Sequence, residues 1–240
     1  MLSKSQIKLI NSLSQKKYRN KNRLFVAEGV KVIKELLNSS YELHMLFAEV
    51  DLFFAPKDKF TLVTPQELKK ITKLSSSQSA LALFEIPETE EKPLKNLVVA
   101  LDGVRDPGNL GTIIRLCDWF GVKQLLCSKD TVDCYNEKVV QATMGSLTRV
   151  NIAYADLYET LKETDLPVFA TFMDGESVYK TSFPSSGILV LGNEANGISS
   201  SIATLAQQKI SIPQFGQNQS TESLNVATAT AILLNEWRRG

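Results

Sequence analysis

The chain has 240 residues, 43% of them hydrophobic and 22% charged, with a formal net charge of +1. That is room for one large or two modest domains, with no overall basic excess. A single histidine, His44, and three cysteines without a C-x-x-C pair nearly exclude histidine-based triads, multi-histidine metal sites, zinc and a disulfide framework.

No stretch reaches the roughly 18 apolar residues of a membrane span. The N-terminal MLSKSQIKLINSLSQKK lacks the continuous apolar core of a signal peptide, so a cytoplasmic protein is expected. Ile7, Ile10 and Leu13 give a first helical stripe. A cationic run follows, in which Lys4, Lys8, Lys16, Lys17, Arg19, Lys21 and Arg23 all precede the first acidic residue, Glu28. Such a run is either a solvated helix face or a phosphate-contacting patch that releases counterions from nucleic acid. Tyr18, inside it, either packs or stacks on a base. Val30, Ile33, Leu36 and Leu37 form a second helical stripe. LHMLFA, which contains His44, FTLV and ALALFEI read as short strands. The prolines and acidic run of Ile86 to Asn96 read as a linker. Low complexity is confined to Ser75–Ser77.

Beyond the linker the pattern alternates more regularly. Strands are predicted at Leu97–Leu101, Gln124–Cys127, Val168–Phe172, Ile188–Leu191 and Lys209–Ile212, with helical segments between most of them. This rhythm predicts an α/β fold with a mostly parallel sheet covered on both faces, whose ligands sit at the carboxyl ends of strands. Neither G-x-x-x-x-G-K-[ST] nor G-x-G-x-x-G occurs. A nucleotide-like cofactor must therefore be held some other way, which weighs against a nucleotide-dependent oxidoreductase.

Three polar clusters fall just past strand ends. In LDGVRDPGNLGTIIRLCDWFG, Pro107-Gly108 makes a turn and Asn109 can cap the next helix. Arg115 lies outside that helix's apolar stripe, beside Gly111. It is either a surface arginine or one with a ligand next to it. In LGNEANGIS, Gly192 permits close approach to a strand end, and Asn193 and Glu194 bring polar groups to the same mouth. Asn196-Gly197 signals a turn, and Ser199 can cap a helix. In IPQFGQNQSTESLNVATATAILLNEWRR, Ser220 or Thr221 is expected to open a long helix, with Glu222 in its first turn. Ser223 and Asn225 then stand near its N-terminus, where free N–H groups favour an anion.

DPGNLGTIIR, LGNEANGIS and IPQFG…ESLNVATATAILL, in that order, resemble the three successive motifs of the SpoU-type (TrmH-like) RNA 2′-O-ribose methyltransferases of the knotted SPOUT class. KKYRNKNRLFVAEG is similar to the substrate-binding region that precedes the catalytic domain in ribosomal-RNA members. The chain departs from the family pattern at Ala195 and Gln214, in a longer Gln217–Thr221 stretch, and at Ser79-Ala80.

The resemblance implies a small L30e-like α/β RNA-binding domain over 1–86, a linker over 87–96 and a trefoil-knotted methyltransferase domain over 97–240. It implies a homodimer, no metal, and S-adenosylmethionine as cofactor. Leu191, Gly192, Asn193, Ile212 and Leu224 would hold the cofactor, with Thr171 lining the same pocket. Asn109, Arg115, Glu194, Ser223 and Asn225 would surround the target ribose and its phosphate, with Glu194 orienting Arg115 or Asn225. Lys16, Lys17, Arg19, Lys21 and Arg23 would bind RNA. The expected substrate is ribosomal RNA, with transfer RNA second. A non-catalytic RNA-binding protein that kept the fold is the alternative.

Overall fold

The computed structural model describes residues 2–74, 79–88, 92–216 and 223–239. Contacts divide the chain into two compact units, Met1–Thr89 with Asp133–Thr148, and Glu90–Val132 with Arg149–Gly240. Ser75–Ser77 and Gln217–Glu222 lie outside the described residues.

The first unit is a four-stranded mixed sheet with helices. Helix α1 (Lys4–Ser12) opens on a capping box in which Ser3 and Gln6 satisfy each other's backbone N–H groups. Helix α2 (Lys16–Asn22) follows, then strand β1 (Leu24–Glu28) and helix α3 (Val30–Leu37). Strands β2 (Leu43–Ala48) and β3 (Phe60–Leu62), helix α4 (Pro65–Leu68) and strand β4 (Ala80–Glu85) complete the N-terminal segment. The sheet order is β1-β4-β2-β3, with β2 and β3 parallel and the other neighbours antiparallel. Strand β1 is buried at all five positions. It thus lacks the polar alternation that marks a strand in sequence, and its last residue, Glu28, passes for part of a loop.

Asp133–Thr148 belongs to this unit although it lies within the stretch read as catalytic. Two contacts explain the grouping. Tyr135 lays its ring 4.9 Å from Phe25 of β1, and Asp133 pairs with Arg19, its Oδ2 accepting from Nε at 2.9 Å and from a terminal nitrogen at 2.5 Å. Arg19 also donates to the Leu13 and Ser14 carbonyls. It is 3% exposed, so this member of the cationic run is a structural tie and not a free phosphate contact. Removing one partner of such a buried pair leaves the other uncompensated, a loss of about 3–5 kcal/mol. Glu28 is also buried. It accepts from Thr72 Oγ1 and the Lys73 N–H, fixing the chain ahead of residue 75.

The second unit is a six-stranded, wholly parallel sheet. Strand β5 (Leu97–Asp102) leads into helix α5 (Pro107–Trp119). Strand β6 (Gln124–Ser128) precedes helix α6 (Glu137–Thr143), which belongs to the first unit. Strand β7 (Asn151–Ala155), helix α7 (Leu157–Lys162), strand β8 (Val168–Ser177) and strand β9 (Gly187–Gly192) follow. Helix α8 (Ser200–Ala203), strand β10 (Gln208–Ser211) and helix α9 (Val226–Arg239) end the chain. The order β10-β8-β9-β5-β6-β7 places β5 and β9, which carry two of the three polar clusters, side by side, with Asp102 opposite Gly192. The central strands are apolar and buried up to their last residues, Asp102 and Gly192, as burial on both faces requires. Strand β7 was not foreseen; its residues are all only half-buried, so no continuous apolar run announces it.

His44 is exposed at an irregularity in the β2–β4 pairing. None of the three cysteines forms a disulfide; all are buried, and burial pushes the Cys117 thiol upward. Among the described residues no helix is long and apolar enough to cross a membrane.

Glu137 opens α6 within the first unit. Burial, and then the neighbouring Glu28 carboxylate, raise its pKa, against the opposing charges of Lys73, Arg19 and Lys138. A raised carboxyl contributes stability that is complete below its unfolded pKa and is lost as pH rises through the folded value. Ionised Glu137 therefore burdens the fold at neutral pH. Glu137→Gln is expected to raise the urea midpoint at neutral pH and to leave it unchanged near about pH 4. Urea titrations of both proteins at the two pH values test this, and an equal gain at both would show that charge is not the cause.

Candidate active site

The three polar clusters meet at the carboxyl ends of β5 and β9. Asp106, not Asn109, caps α5: its Oδ1 accepts the Asn109 N–H at 2.8 Å, with Pro107 at the first helical position. Because Asp106 takes the cap, the Asn109 side-chain amide is released to point elsewhere. Asn225 caps α9, its Oδ1 accepting from the N–H groups of Ala227 (3.0 Å) and Thr228 (3.2 Å). The helix thus opens at Asn225, and the expected openers Ser220 and Thr221, with Glu222, lie outside the described residues.

The two amides and one carboxylate form a chain. Asn225 Nδ2 donates to Asn109 Oδ1 at 2.9 Å, and Asn109 Nδ2 donates to Glu194 Oε1 at 2.9 Å. Asn225 Oδ1 is already committed to two backbone donors, so only its NH₂ can face Asn109. Asn109 must then turn its oxygen to Asn225 and its NH₂ to Glu194. Glu194 is exposed, yet its carboxylate terminates this chain and holds Asn109 directly. It does not hold Arg115.

Arg115 is exposed and, among the described residues, makes no hydrogen bond or ion pair. Helix geometry accounts for the separation: six residues past Asn109, it lies about 9 Å along α5 and about a third of a turn around it. Of the two partners expected for Glu194, Arg115 is not bonded to it and Asn225 is reached only through Asn109, leaving a free guanidinium on the same helix.

The loop after β9 is shaped by Asn193. Its Oδ1 accepts from the Ala195 and Asn196 N–H groups, and its backbone bonds reciprocally to Gly197 at 2.9 Å. Its Nδ2 donates to the Gly103 carbonyl at 2.6 Å. Asn193 thus builds the loop, although its position on the cleft wall is the one expected for a cofactor residue. Gly192 is required there, since an added Cβ would lie 2.2 Å from the Gly197 carbonyl carbon. Gly103, at φ +75°, is held from its other side as well, its N–H donating to Ser128 Oγ at 2.9 Å. One residue therefore joins the loop after β5 to the end of β6 and to the loop after β9. Ser128 also donates to Asp130 Oδ1 and holds that carboxyl below its usual range. Ser199 stands at the N-cap of α8, but its side chain makes no capping bond; its N–H donates instead to Asp102 at 2.7 Å.

Beside this assembly lies a cleft of about 600 Å³. Thr171, Leu191, Gly192, Asn193, Ile212 and Leu224, the six expected cofactor residues, all line it, as do Glu194 and Ser223. Val226, Ala229 and Leu233 of α9 complete its wall. They were missed in sequence, although their spacing on one face of the final helix is a legible signal. Glu194 is the one charged residue among the described lining residues. Such a wall suits a neutral nucleoside joined to a cationic sulfonium and lacks the cations that a pyrophosphate asks for. The residues present therefore fit S-adenosylmethionine. Among the described residues no group of histidine, cysteine and carboxylate side chains is placed to hold a metal ion.

Of the cationic run, Lys16, Lys17, Lys21 and Arg23 are exposed. Arg23 also donates to the Ile86 carbonyl, and Lys17 Nζ sits 4.8 Å from the Tyr18 ring.

Comparison with known proteins agrees with this geometry. The profile of the SpoU rRNA Methylase family matches residues 96–235, and that of the MRM3-like substrate binding domain matches residues 4–82. A TrmH-family protein from Porphyromonas gingivalis is 38% identical, covers all of both chains and superposes with a TM-score of 0.91. An AdoMet-bound rRNA methyltransferase from Sinorhizobium meliloti is 32% identical over 100% of this chain and 97% of its own, with a TM-score of 0.88. The 23S rRNA (guanosine(2553)-2′-O)-methyltransferase RlmP of Bacillus subtilis is 28% identical across 97% of this chain and 96% of its own length. A tRNA 2′-O-methyltransferase is also among the relatives. With profile matches along both halves and solved relatives aligned end to end, the chain belongs to the SpoU rRNA Methylase family of RNA methyltransferases.

Proposed function

We propose that this chain transfers a methyl group from S-adenosylmethionine to a ribose 2′-hydroxyl of ribosomal RNA. The observation that carries the reading is the Asn225–Asn109–Glu194 chain, which ends on the wall of a cleft lined by all six expected cofactor residues. Two relatives that span nearly the whole chain, the RlmP enzyme and the Sinorhizobium meliloti enzyme, carry ribosomal-RNA names, and residues 4–82 match a substrate-binding domain; both support ribosomal RNA as the substrate. Activity as a homodimer, with the C-terminal segment threaded through a knot, belongs to the same proposal.

The cofactor, when bound, supplies a methyl carbon already activated by a sulfonium. The protein's task is then to hold the acceptor oxygen in line and to manage one proton. Leu191, Gly192, Ile212, Leu224 and Thr171 shape the cofactor cleft. Glu194 and Asn225 fix the direction of the Asn109 amide, so that a donor and an acceptor stay in place beside the ribose. Arg115 clamps the target phosphate and stabilises negative charge developing on the 2′-oxygen. A guanidinium keeps its proton across the accessible pH range, which is why Arg115 is assigned to charge stabilisation and not to proton removal.

Methyl incorporation into RNA from cells lacking this protein tests the reading, and its absence from the wild-type protein would sink it. Arg115→Ala is expected to lower single-turnover methyl transfer by about a hundredfold, and Arg115→Lys by less, because charge survives and the planar fork does not. S-adenosylmethionine affinity should be unchanged in both. An apparent pKa in the rate profile that vanishes with Arg115→Lys would make the arginine the proton acceptor.

The second expectation separates cap from relay. Asn225→Asp keeps an acceptor for the start of α9 but turns an oxygen toward Asn109. Methyl transfer should drop by about tenfold or more while the thermal midpoint stays close to wild type. A parallel loss of stability would show that Asn225 serves the helix alone.

The third concerns the cationic run without its buried member. Changing Lys16, Lys17, Lys21 and Arg23 to alanine should weaken RNA binding and flatten its salt dependence, with cofactor affinity unaffected. An unchanged salt slope in filter-binding titrations returns these residues to a solvated surface.

A further inference from the structure

Nine large hydrophobic residues are exposed among the described residues, and four of them gather at one place. Met173 (63% exposed), Phe215 (83%) and Leu224 (48%) line the cofactor cleft, and Tyr179 (44%) sets its ring 6.3 Å from that of Phe215. Exposed apolar groups in such a concentration mark a binding surface. The backbone explains their meeting. The Val178 N–H donates to the Ser211 carbonyl at 2.9 Å, which carries Tyr179, just past β8, alongside the Ile212–Phe215 segment that leaves β10. The same edge carries two exposed cations, Lys180 and Lys209, the latter with its Nζ 4.8 Å from the centre of the Phe172 ring.

The deep part of the cleft, between Leu191, Ile210 and α9, already offers a shielded apolar wall for the cofactor. Phe215 stands outside that shelter. A ribose brought to Glu194 and Asn109 arrives with a nucleobase attached and others beside it. Single-stranded RNA bases are held out of their own stack by exposed aromatic rings, with cations on the flanking phosphates. We propose that Phe215, backed by Tyr179, is the stacking platform for a base of the target RNA at or next to the methylated nucleotide, and that Lys180 and Lys209 flank its phosphates. The inference rests on the methyl-transfer reading and names a specificity-determining residue for it.

The test uses the full chain and its Phe215→Ala, Phe215→Trp and Tyr179→Ala variants. Methyl incorporation from labelled S-adenosylmethionine is followed into total RNA from cells lacking this protein, with filter binding of the same RNA. The expected result is a rise in KM and Kd for RNA of about tenfold in Phe215→Ala. A smaller rise is expected in Tyr179→Ala and near-wild-type behaviour in Phe215→Trp, with S-adenosylmethionine affinity unchanged throughout. Unchanged RNA binding and KM in Phe215→Ala, while the wild type methylates, would overturn this inference and leave the methyl-transfer reading standing. Weakened cofactor binding would assign the ring to the cofactor pocket, and a changed sedimentation coefficient would assign it to a contact between copies of the chain; either outcome overturns it. Wild-type protein that incorporates no methyl would instead defeat the underlying reading, and the filter-binding arm would still decide whether the ring contacts RNA.

Discussion

The Oδ1 atom of Asn225 has two backbone N–H groups to satisfy at the start of α9, and the polarity of the site follows from that demand. An amide whose oxygen is spoken for can offer only its NH₂ to the next residue. Asn109 must receive that NH₂ with its own oxygen and pass its NH₂ to Glu194. A helix cap, a local matter of secondary structure, thereby sets the orientation of side chains contributed by segments 85 and 116 residues apart in sequence. Each bond is near solvent and contributes only about 1 kcal/mol to stability. The chain matters for direction more than for strength.

The relay needs the three segments to arrive at the same place, and the parallel sheet ensures that. Strands β5 and β9 are adjacent and in register to their last residues, so the loops that follow them emerge together. The Gly103 backbone then fastens the loops after β5 and β9 to each other and to the end of β6, its N–H donating to Ser128 and its carbonyl accepting from Asn193. Its positive φ and the 3.0 Å that an added Cβ would leave to Asp130 Oδ2 explain why glycine stands there. Gly192 serves the same end by letting the 193–197 loop fold back onto the strand terminus. The cleft is bounded by the 193–197 loop and by α9.

In the first unit, charge serves packing where a sequence offers only a count. Arg19 lies within a strongly cationic stretch and Glu28 just beyond it, yet both are buried and hydrogen-bonded. Arg19 and Asp133 tie in a segment 114 positions away, and Glu28 pins the loop after α4. Their exposed neighbours Lys16, Lys17, Lys21 and Arg23 retain the character the composition assigns to the run. The difference lies in which face of α2 turns inward, and a seven-residue helix with little apolar periodicity does not declare that face.

The sequence by itself determined the class of fold, the places along the chain of the second unit's strands other than β7, and the three motifs that resemble those of the family. Those features are local: apolar runs specify buried strands, and glycine, proline and asparagine specify turns and caps through their own backbone preferences. Tertiary structure decided the rest. It placed Asp106 and not Asn109 at the cap of α5, gave Glu194 to Asn109 and left Arg115 free, and returned Asp133–Thr148 to the N-terminal unit. These outcomes depend on which of several competent donors and acceptors lie within about 3 Å of one another. Residue type states what a side chain can bond; only the packed backbone states what it meets.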